Sequence, residues 1–201
     1  MVILGLVVVL GCGQLQKQIS DKLPTAIDDS SPNFSLAGKE WKTFDLESMD
    51  ISVELPGEPA DRSPAASQLP PGSKAIFEAV KIHAYENKDF TSSYSQLELT
   101  GKQKFEIKDL ADKAMTAIRN QARDLKYTVD VTSDSKAKYD GTFSRNGKVF
   151  EVKGCCIYQK TKPERVWSVI TVAPQGNADA QTASQRIINS ATFASSSDTC
   201  Q

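Results

Sequence analysis

The sequence predicts an α+β fold in which an antiparallel sheet of about six strands carries two main helices. Runs of alternating apolar and polar residues are typical of half-buried strands, and two segments place apolar residues at helical spacing. The connections between successive strand segments are short, which favours antiparallel pairing because parallel strands need a long crossover. The predicted domain, residues 41–194, is long enough to bury a core of its own.

Strand segments are predicted where apolar and polar residues alternate or where β-branched and aromatic residues cluster. Two short turn sequences, Glu86–Asp89 and Arg145–Gly147, each predict a hairpin between neighbouring segments. The stretch 61–73 is rich in Pro, Ser and Ala and predicts an exposed loop. The strand segments, in chain order, are 51–55, 75–85, 90–99, 127–132, 137–143, 148–160 and 166–173.

Two helices are predicted from apolar residues that recur every three or four positions. The first covers 108–124, and Asp109 in its first turn suits the positive end of the helix dipole. The second covers 178–189. The residues expected on one side of each helix are Leu110, Ala114, Ala117, Ile118 and Gln121 in the first, and Ala180, Ala183, Ile187 and Ile188 in the second.

The first eleven residues, Met1–Gly11, are uncharged and almost wholly apolar. A helix of that length covers about 16 Å, roughly half of the ~30 Å hydrocarbon core of a membrane, so it is too short to span one. The segment suits the apolar core of an export signal, although no Lys or Arg precedes it. The alternative is an ordinary buried strand or helix at the start of the fold.

The stretch Val9-Leu10-Gly11-Cys12 resembles the lipobox of bacterial lipoproteins: two aliphatic residues, a small residue and a cysteine. The resemblance implies that 1–11 is a signal peptide and that Cys12 receives a diacylglyceryl group and becomes the first residue after cleavage. Because Gly rather than Asp follows Cys12, resemblance to known sorting rules favours the outer membrane. Residues 12–40 are expected to be the lipidated cysteine and a flexible linker, and 195–201 a polar tail.

Four cysteines set the redox chemistry: Cys12, Cys155, Cys156 and Cys200. If Cys12 is acylated, three thiols remain, and an exported protein meets an oxidising compartment. Strand alternation places Cys156 with its apolar neighbours and Cys155 on the opposite, more accessible face. Cys200 lies in the tail and is able to reach back, so Cys155–Cys200 is the favoured disulfide. The alternatives are three free or variably oxidised thiols, or a dithiol switch between Cys155 and Cys156.

Catalytic and metal-binding patterns are not evident in the sequence. The single histidine, His83, has no nucleophile or orienting carboxylate placed beside it by sequence, and no Gly-x-Ser-x-Gly elbow exists. Adjacent strand residues such as Cys155 and Cys156 point to opposite faces and cannot grip one metal ion together. No catalytic residue, metal site or cofactor is therefore expected. A hydrolase, the alternative, needs His83 within hydrogen-bond reach of a Ser or Cys and an acid.

The charged residues indicate neither a nucleic-acid partner nor a calcium site. The 24 Lys+Arg and 25 Asp+Glu give a net charge of −1, whereas nucleic-acid binding needs a clustered positive field. Asp130, Asp134 and Asp140 lack the spacing and central glycine of a calcium loop and are interpreted as solvated turn residues. The single apolar run also excludes a membrane protein with several spans.

The order of elements in the body resembles the PsbP-like fold, which is shared by the extrinsic photosystem protein, Ran-binding Mog-type proteins and many bacterial lipoproteins. The best local matches are Ile51–Gly57, ISVELPG, and Arg186–Phe193, RIINSATF. These are packing and turn features, and they transfer no catalytic residue. The resemblance implies adaptor, assembly or uncharacterised envelope roles, among which a fold alone does not choose.

The sequence therefore predicts a lipid-anchored protein of the bacterial cell envelope that faces the periplasm or lies outside the cytoplasm. Its domain is expected to be non-enzymatic and to bind another envelope protein as an accessory or assembly factor. The alternative is a small-ligand carrier or sensor with an apolar pocket between sheet and helices. Trp41, Tyr85, Phe143 and Trp167 are the candidate walls of that pocket.

Overall fold

The described residues are 33–65, 69, 75–101, 104–193 and 199–201 of a computed structural model. A seven-stranded antiparallel sheet forms the middle layer, with the order β3-β4-β5-β9-β8-β7-β6. One helix packs on one face, and a second helix with a three-stranded sheet, β1-β2-β10, packs on the other. The predicted α+β class, with two helices on an antiparallel sheet, is confirmed, although the main sheet has seven strands rather than six.

The bounds of the elements follow the sequence patterns closely in the second half of the chain. The strands are β1 Lys42–Leu46, β2 Ile51–Leu55, β3 Ala60–Asp61, β4 Phe77–Asn87, β5 Phe90–Leu99, β6 Lys126–Ser133, β7 Lys136–Arg145, β8 Lys148–Gln159, β9 Arg165–Pro174 and β10 Thr192–Phe193. The helices are α1 Ile107–Gln121 and α2 Ala178–Ser190, and a short 3-10 helix covers Glu47–Met49.

Two tight hairpins set the register of the large sheet. Asn146 and Gly147 join β7 to β8 with φ angles of 50° and 74°, because a two-residue turn that matches the strand twist needs positive φ at both positions. Lys88 and Asp89 join β4 to β5, and Lys88 has a φ of 54°. Both predicted hairpins are present, and the first turn is shorter than the four residues Glu86–Asp89.

Helix α1 covers the face of the sheet formed by β6, β7 and β8. Its apolar residues recur at helical spacing, and most of the buried ones join a core cluster that also includes residues of the sheet. The helix ends three residues before the predicted position 124, because Ala122 leaves the helical conformation at φ −127° and ψ 84°. The buried helix residues are Ile107, Leu110, Ala111, Ala114, Met115, Ala117 and Ile118.

Helix α2 and the small sheet cover the opposite face. The Asn177 side chain caps the helix by accepting the Ala180 N–H at 3.0 Å. Small residues on the inner side, Ala180, Ala183 and Ser184, let the helix approach β9 closely. As a result the central strands β5, β9 and β8 of the large sheet are buried on both faces. Cysteines and aromatic side chains on either face of these strands are therefore covered.

Residues before the predicted domain boundary at 41 also belong to the body. The Phe34 side chain is 2% exposed, and its ring centroid lies 4.7 Å from that of Phe90. The Phe34 N–H donates to Asp89 Oδ1 at 3.0 Å, and Asn177 Nδ2 donates to the Phe34 carbonyl at 2.9 Å. The predicted linker, 12–40, therefore extends too far, because a single buried aromatic residue leaves no periodic pattern in the sequence.

Three short strands, β1, β3 and β10, were also not predicted. β3 pairs only Ala60 and Asp61 with β4, partly within the predicted loop 61–73, and two residues carry no alternation. Three of the five β1 residues are exposed and one is partly buried, so the apolar signal of this strand is weak. The predicted signal peptide 1–11, Cys12, most of the predicted linker and residues 195–198 of the predicted tail lie outside the described residues.

Candidate functional site

A concave surface lies between α2, the C-terminal residues and the outer strands β6–β8; we call it the α2 groove. It is open to solvent along its length and has a volume of about 570 Å³. Its strand side is formed by Thr128, Asp130, Lys138, Tyr139, Asp140, Lys153 and Gly154, its helix side by Gln185, Ile188 and Asn189, and its end by Cys200 and Gln201.

The helix wall of the groove is fixed by what α2 buries on its other side. Ile187 is fully buried against the core, which directs Gln185 and Asn189 outward by helical geometry. Gln185 Nε2 donates to Asn189 Oδ1 at 2.9 Å, one turn apart. A second hollow on the other flank of α2 shares Gln185 and Asn189, and Arg186 there contacts Glu54 Oε2 at 2.7 Å. The outer side of α2 is thus a polar ridge between two hollows.

The C-terminal residues 199–201 form the end wall. Thr199 bridges to Thr192 in β10, and Gln201 Nε2 donates to the Asn189 carbonyl at 2.8 Å. Lys136 Nζ donates to the Gln201 carbonyl. These contacts attach the end of the chain to both α2 and β7, so part of the predicted polar tail is ordered structure.

The floor of the groove carries charges of both signs on neighbouring strands. Asp130 lies opposite Lys138 in the β6–β7 ladder, and Asp140 lies opposite Lys153 in the β7–β8 ladder. Lys153 Nζ also lies 3.1 Å from Glu151 Oε2 on its own strand. Opposite charges across strands stabilise their pairing and leave both donors and acceptors facing the groove. This arrangement suits a polar partner with charges of both signs.

The interpretation of the three aspartates as turn residues is wrong for two of them. Asp134 lies in the β6–β7 turn, but Asp130 and Asp140 are strand residues on the same face of the sheet. The alternation in 127–132 and 137–143 contains the signal that places them there. The sequence does not show where α2 lies. Because α2 does not cover β6, the face of the sheet that carries Asp130 and Asp140 is open to solvent.

The structure brings Cys155 and Cys200 together as a disulfide, with Cα atoms 5.5 Å apart and a sequence separation of 45. Both side chains are buried, at 0% and 1% exposed. The prediction that Cys155 is the more accessible member of the Cys155–Cys156 pair is wrong, because α2 and the small sheet cover the face on which Cys155 lies. Cys156 is buried on the α1 face and carries a free thiol.

Cys156 is expected to be unreactive in the folded protein. Burial raises the pKa of the Cys156 thiol to about 12, so the nucleophilic thiolate is nearly absent at pH 8, and the side chain has no access to solvent. Iodoacetamide should therefore modify Cys156 only after the protein is unfolded in guanidinium chloride. Rapid modification of Cys156 in the native protein, measured by peptide mass spectrometry, would contradict this placement.

His83 lies in the large sheet, one strand in from its β3 edge. It lies on β4 opposite Tyr94 of β5 and Asp61 of β3, and its Nδ1 lies 3.2 Å from Met49 Sδ. Hydrogen bonds from Ser63 lower the pKa of Asp61. Among the described residues, no group of three or more His, Cys, Asp or Glu side chains is placed to hold a metal ion.

The four aromatic residues suggested as pocket walls do not meet. Trp167 is 0% exposed, donates its indole N–H to the Met49 carbonyl at 2.7 Å, and has the Phe193 ring 5.8 Å away. Phe143 lies in the other core cluster, across the sheet, where it stacks on Phe150. Protein atoms thus fill the space around Trp167, and the predicted apolar pocket between these aromatics is not formed.

Trp41 takes a different position from the buried aromatics. Its ring lies under the Arg186 guanidinium, 4.3 Å from the ring centroid, and Arg186 in turn contacts Glu54. This is a surface cation–π contact of the kind that orders an arginine without enclosing a ligand. Trp41 therefore positions Arg186, which lines the hollow on the second flank of α2.

Comparison with known proteins gives a likeness of structure without one of sequence. No protein-family model matches the chain, and no curated protein matches its sequence significantly. The Ran-binding protein Mog1p of Saccharomyces cerevisiae is similar in structure, with 13% identity, a TM-score of 0.44, and coverage of 78% of this chain and 97% of its own. A mutant of the protein Mog1 is similar at 12% identity and a TM-score of 0.44, with coverage of 77% and 96%.

A third solved structure is LpqN, described as involved in cell envelope biogenesis of Mycobacterium tuberculosis. It shares 16% identity with this chain at a TM-score of 0.39, and the match covers 81% of this chain and 99% of LpqN. In the part of the chain that the structure describes, neither helix is long and apolar enough to cross a membrane.

Proposed function

We propose that the chain is a bacterial envelope lipoprotein, anchored through Cys12, whose folded domain binds another protein at the α2 groove and performs no catalysis. The observation that supports binding most strongly is the groove itself: an open concave surface with charges of both signs between rigid walls. The lipobox-like Val9-Leu10-Gly11-Cys12 supports the anchor and the location.

The shape of the groove favours a protein partner over a small ligand. Small-ligand sites enclose most of their ligand and are lined mainly by apolar side chains. The α2 groove is open along its length, and most of the residues that line it have polar or charged side chains. The aromatic residues that would have formed an apolar pocket are packed into the two cores instead. A carrier or sensor of small molecules is therefore the weaker hypothesis.

The walls of the groove are held in place before any partner arrives. α2 is tied to the sheet by buried Ala180, Ala183 and Ile187, and the end wall is tied by Cys200 and by the Gln201–Asn189 contact. A preformed surface loses little conformational entropy on binding, which raises affinity for a given contact area. Charge complementarity then adds specificity and speeds association.

The disulfide is consistent with the proposed location. Disulfides persist in the periplasm and outside the cell but are rare in the cytosol, where thiols are kept reduced. We place the Cys155–Cys200 bond in that oxidising compartment, and the same export step would deliver Cys12 to the enzymes that acylate it. The lipid and the disulfide thus depend on one event, crossing of the inner membrane.

Site-specific photocrosslinking in the bacterium that naturally makes the protein tests the proposed binding surface. A photoreactive residue at Gln185 lies on the ridge between the groove and the second hollow, whereas one at Asp109, an exposed residue of α1, lies on the opposite side of the molecule. We expect a discrete adduct with one envelope protein from Gln185 and none from Asp109. The substitution Asp140→Lys reverses one charge of the floor and should reduce that adduct at least about fivefold.

Glu78→Lys provides the matched control, because Glu78 is an exposed strand residue outside the groove. It should leave the Gln185 adduct unchanged. Equal adducts from Gln185 and Asp109, or no adduct from either position, would contradict the assignment of the α2 groove as the binding surface.

A further inference from the structure

Strand β6 lies at one end of the seven-stranded sheet. It pairs with β7 on one side, and within the described residues no strand pairs with its other side. Its pairing with β7 is regular up to Val131, which is 44% exposed. An edge of this length is a template for another strand, and proteins usually block such edges with proline, bulges or inward-pointing charges.

The backbone groups that β6 offers to a partner follow from the hydrogen-bond pattern. The Tyr158 N–H donates to the carbonyl of Ser135, the residue just before β7, at 2.8 Å. Because backbone groups alternate in direction along a strand, the odd-numbered residues of β7 also point their N–H and C=O groups towards β8. Even-numbered β7 residues therefore face β6, where their partners are also even-numbered. The N–H and C=O groups of the odd-numbered residues in 127–131 consequently point away from β7, in the plane of the sheet, at its open edge.

We propose that β6 pairs antiparallel with β6 of a second copy of this chain, about a two-fold axis that passes through Thr128. In this register Lys126 lies opposite Asp130 of the second copy, and Tyr127 lies opposite Val129. Symmetry repeats each pair, so two Lys–Asp pairs flank the axis. The proposal does not depend on lipid attachment at Cys12 or on a partner at the α2 groove.

Several positions of the two-fold axis allow the outward N–H and C=O groups of β6 to hydrogen-bond with the second copy. The charges of the strand select the axis at Thr128 among them. Moving the axis to Tyr127 places Asp124 opposite Asp130. Moving it to Lys126 or to Asp130 places that residue opposite its own copy, which juxtaposes like charges. An axis at Val129 leaves Lys126 opposite Thr132 and forms no charge pair. The Thr128 axis pairs both charged residues of the strand with opposite charges.

The other face of the same ladder is apolar. Tyr127 and Val129 already pack against the core cluster under α1. Pairing about Thr128 brings Tyr127 of one copy onto Val129 of the other and places exposed Val131 opposite Leu125. The apolar cluster would then continue from one copy to the next, and burial of this surface favours association.

Cysteine crosslinking of the full chain in whole-cell extracts, which contain it whether or not it is anchored to a membrane, tests the register. Thr128 would lie opposite itself in a non-hydrogen-bonded pair, whose Cα separation of roughly 4.5 Å falls within the range of a disulfide. We expect Thr128→Cys to give a covalent dimer on a non-reducing gel after mild oxidation. Thr132→Cys, on the same exposed face of the strand, should give about tenfold less, since it has no copy of itself within reach. The unsubstituted chain reports the background from its own cysteines.

A charge exchange in the Thr128→Cys chain distinguishes specific pairing from chance contact. Lys126→Asp and Asp130→Lys each create like-charge pairs twice in the dimer and should each lower the crosslinked fraction about tenfold. The double exchange restores opposite charges and should restore crosslinking. Equal crosslinking at positions 128 and 132, no crosslinking at 128, or failure of the double exchange to recover it would overturn the proposal.

Discussion

Replacement of Cys200 by Ala is expected to lower the free energy of unfolding by about 4 kcal/mol, the chain-entropy value for a loop of this size. The Cys155–Cys200 bond closes a loop of 45 residues that contains β9 and α2. Loss of the bond frees that loop in the unfolded chain and releases the end wall of the α2 groove. Urea unfolding of the detergent-solubilised protein, followed by tryptophan fluorescence, measures the change, because Trp167 lies in the adjoining core.

Two controls separate the disulfide from the loss of a buried side chain. Cys155→Ala should cost a similar amount, and the double variant should cost little more than either single one, because one bond is lost in all three. A reductant present during unfolding should destabilise the unsubstituted protein but leave Cys200→Ala unchanged. If Cys200→Ala kept the unfolding midpoint of the unsubstituted protein, the two thiols would not be bonded in solution.

Replacement of Gly154 by Ala is expected to cost about 3 kcal/mol, at the upper end for overpacking a core. A Cβ atom at Gly154 would overlap the Val169 carbonyl oxygen and lie 2.5 Å from Tyr139 Cε2. The Tyr139 ring has little freedom to move, because its hydroxyl donates to the Cys155 carbonyl at 2.8 Å. The thermal unfolding midpoint should therefore fall steeply, by several degrees per kcal/mol.

Gly147→Ala is the matched control on a neighbouring turn. Gly147 has a φ of 74° and nothing within 4 Å of its missing Cβ, so only backbone conformation changes. That substitution should cost about 1 kcal/mol. If Gly154→Ala lowered the free energy of unfolding no more than Gly147→Ala, Gly154 would not lie as close to Tyr139 and Val169 as the structure places it.

Local patterns in the sequence were sufficient where an element carries several turns or alternations. The helical spacing of apolar residues placed α1 and α2, and a strand-like run after a turn sequence placed β5 at Phe90–Leu99, the bounds that the structure has. The positive φ values of Asn146 and Gly147 follow from the requirements of a two-residue turn, so that hairpin was also predictable. Each of these signals depends only on residues near in sequence.

The features that sequence analysis missed depend on contacts between distant segments. Parity along β8 placed Cys155 and Cys156 on opposite faces, but it could not show that α2 covers the face of Cys155. Phe34 enters the core through contacts with Phe90 and Asn177, which are far away in sequence. The α2 groove is likewise a consequence of where α2 ends relative to β6 and β7.

The most direct test of lipid anchoring is the intact mass of the protein extracted with detergent from the membranes of its natural host. Anchoring predicts a chain that begins at Cys12, lacks residues 1–11 and carries the added mass of a diacylglyceryl group, with Cys12→Ser losing both the added mass and the membrane association. A chain that retains Met1–Gly11, has no added mass and is recovered from the soluble fraction would contradict it.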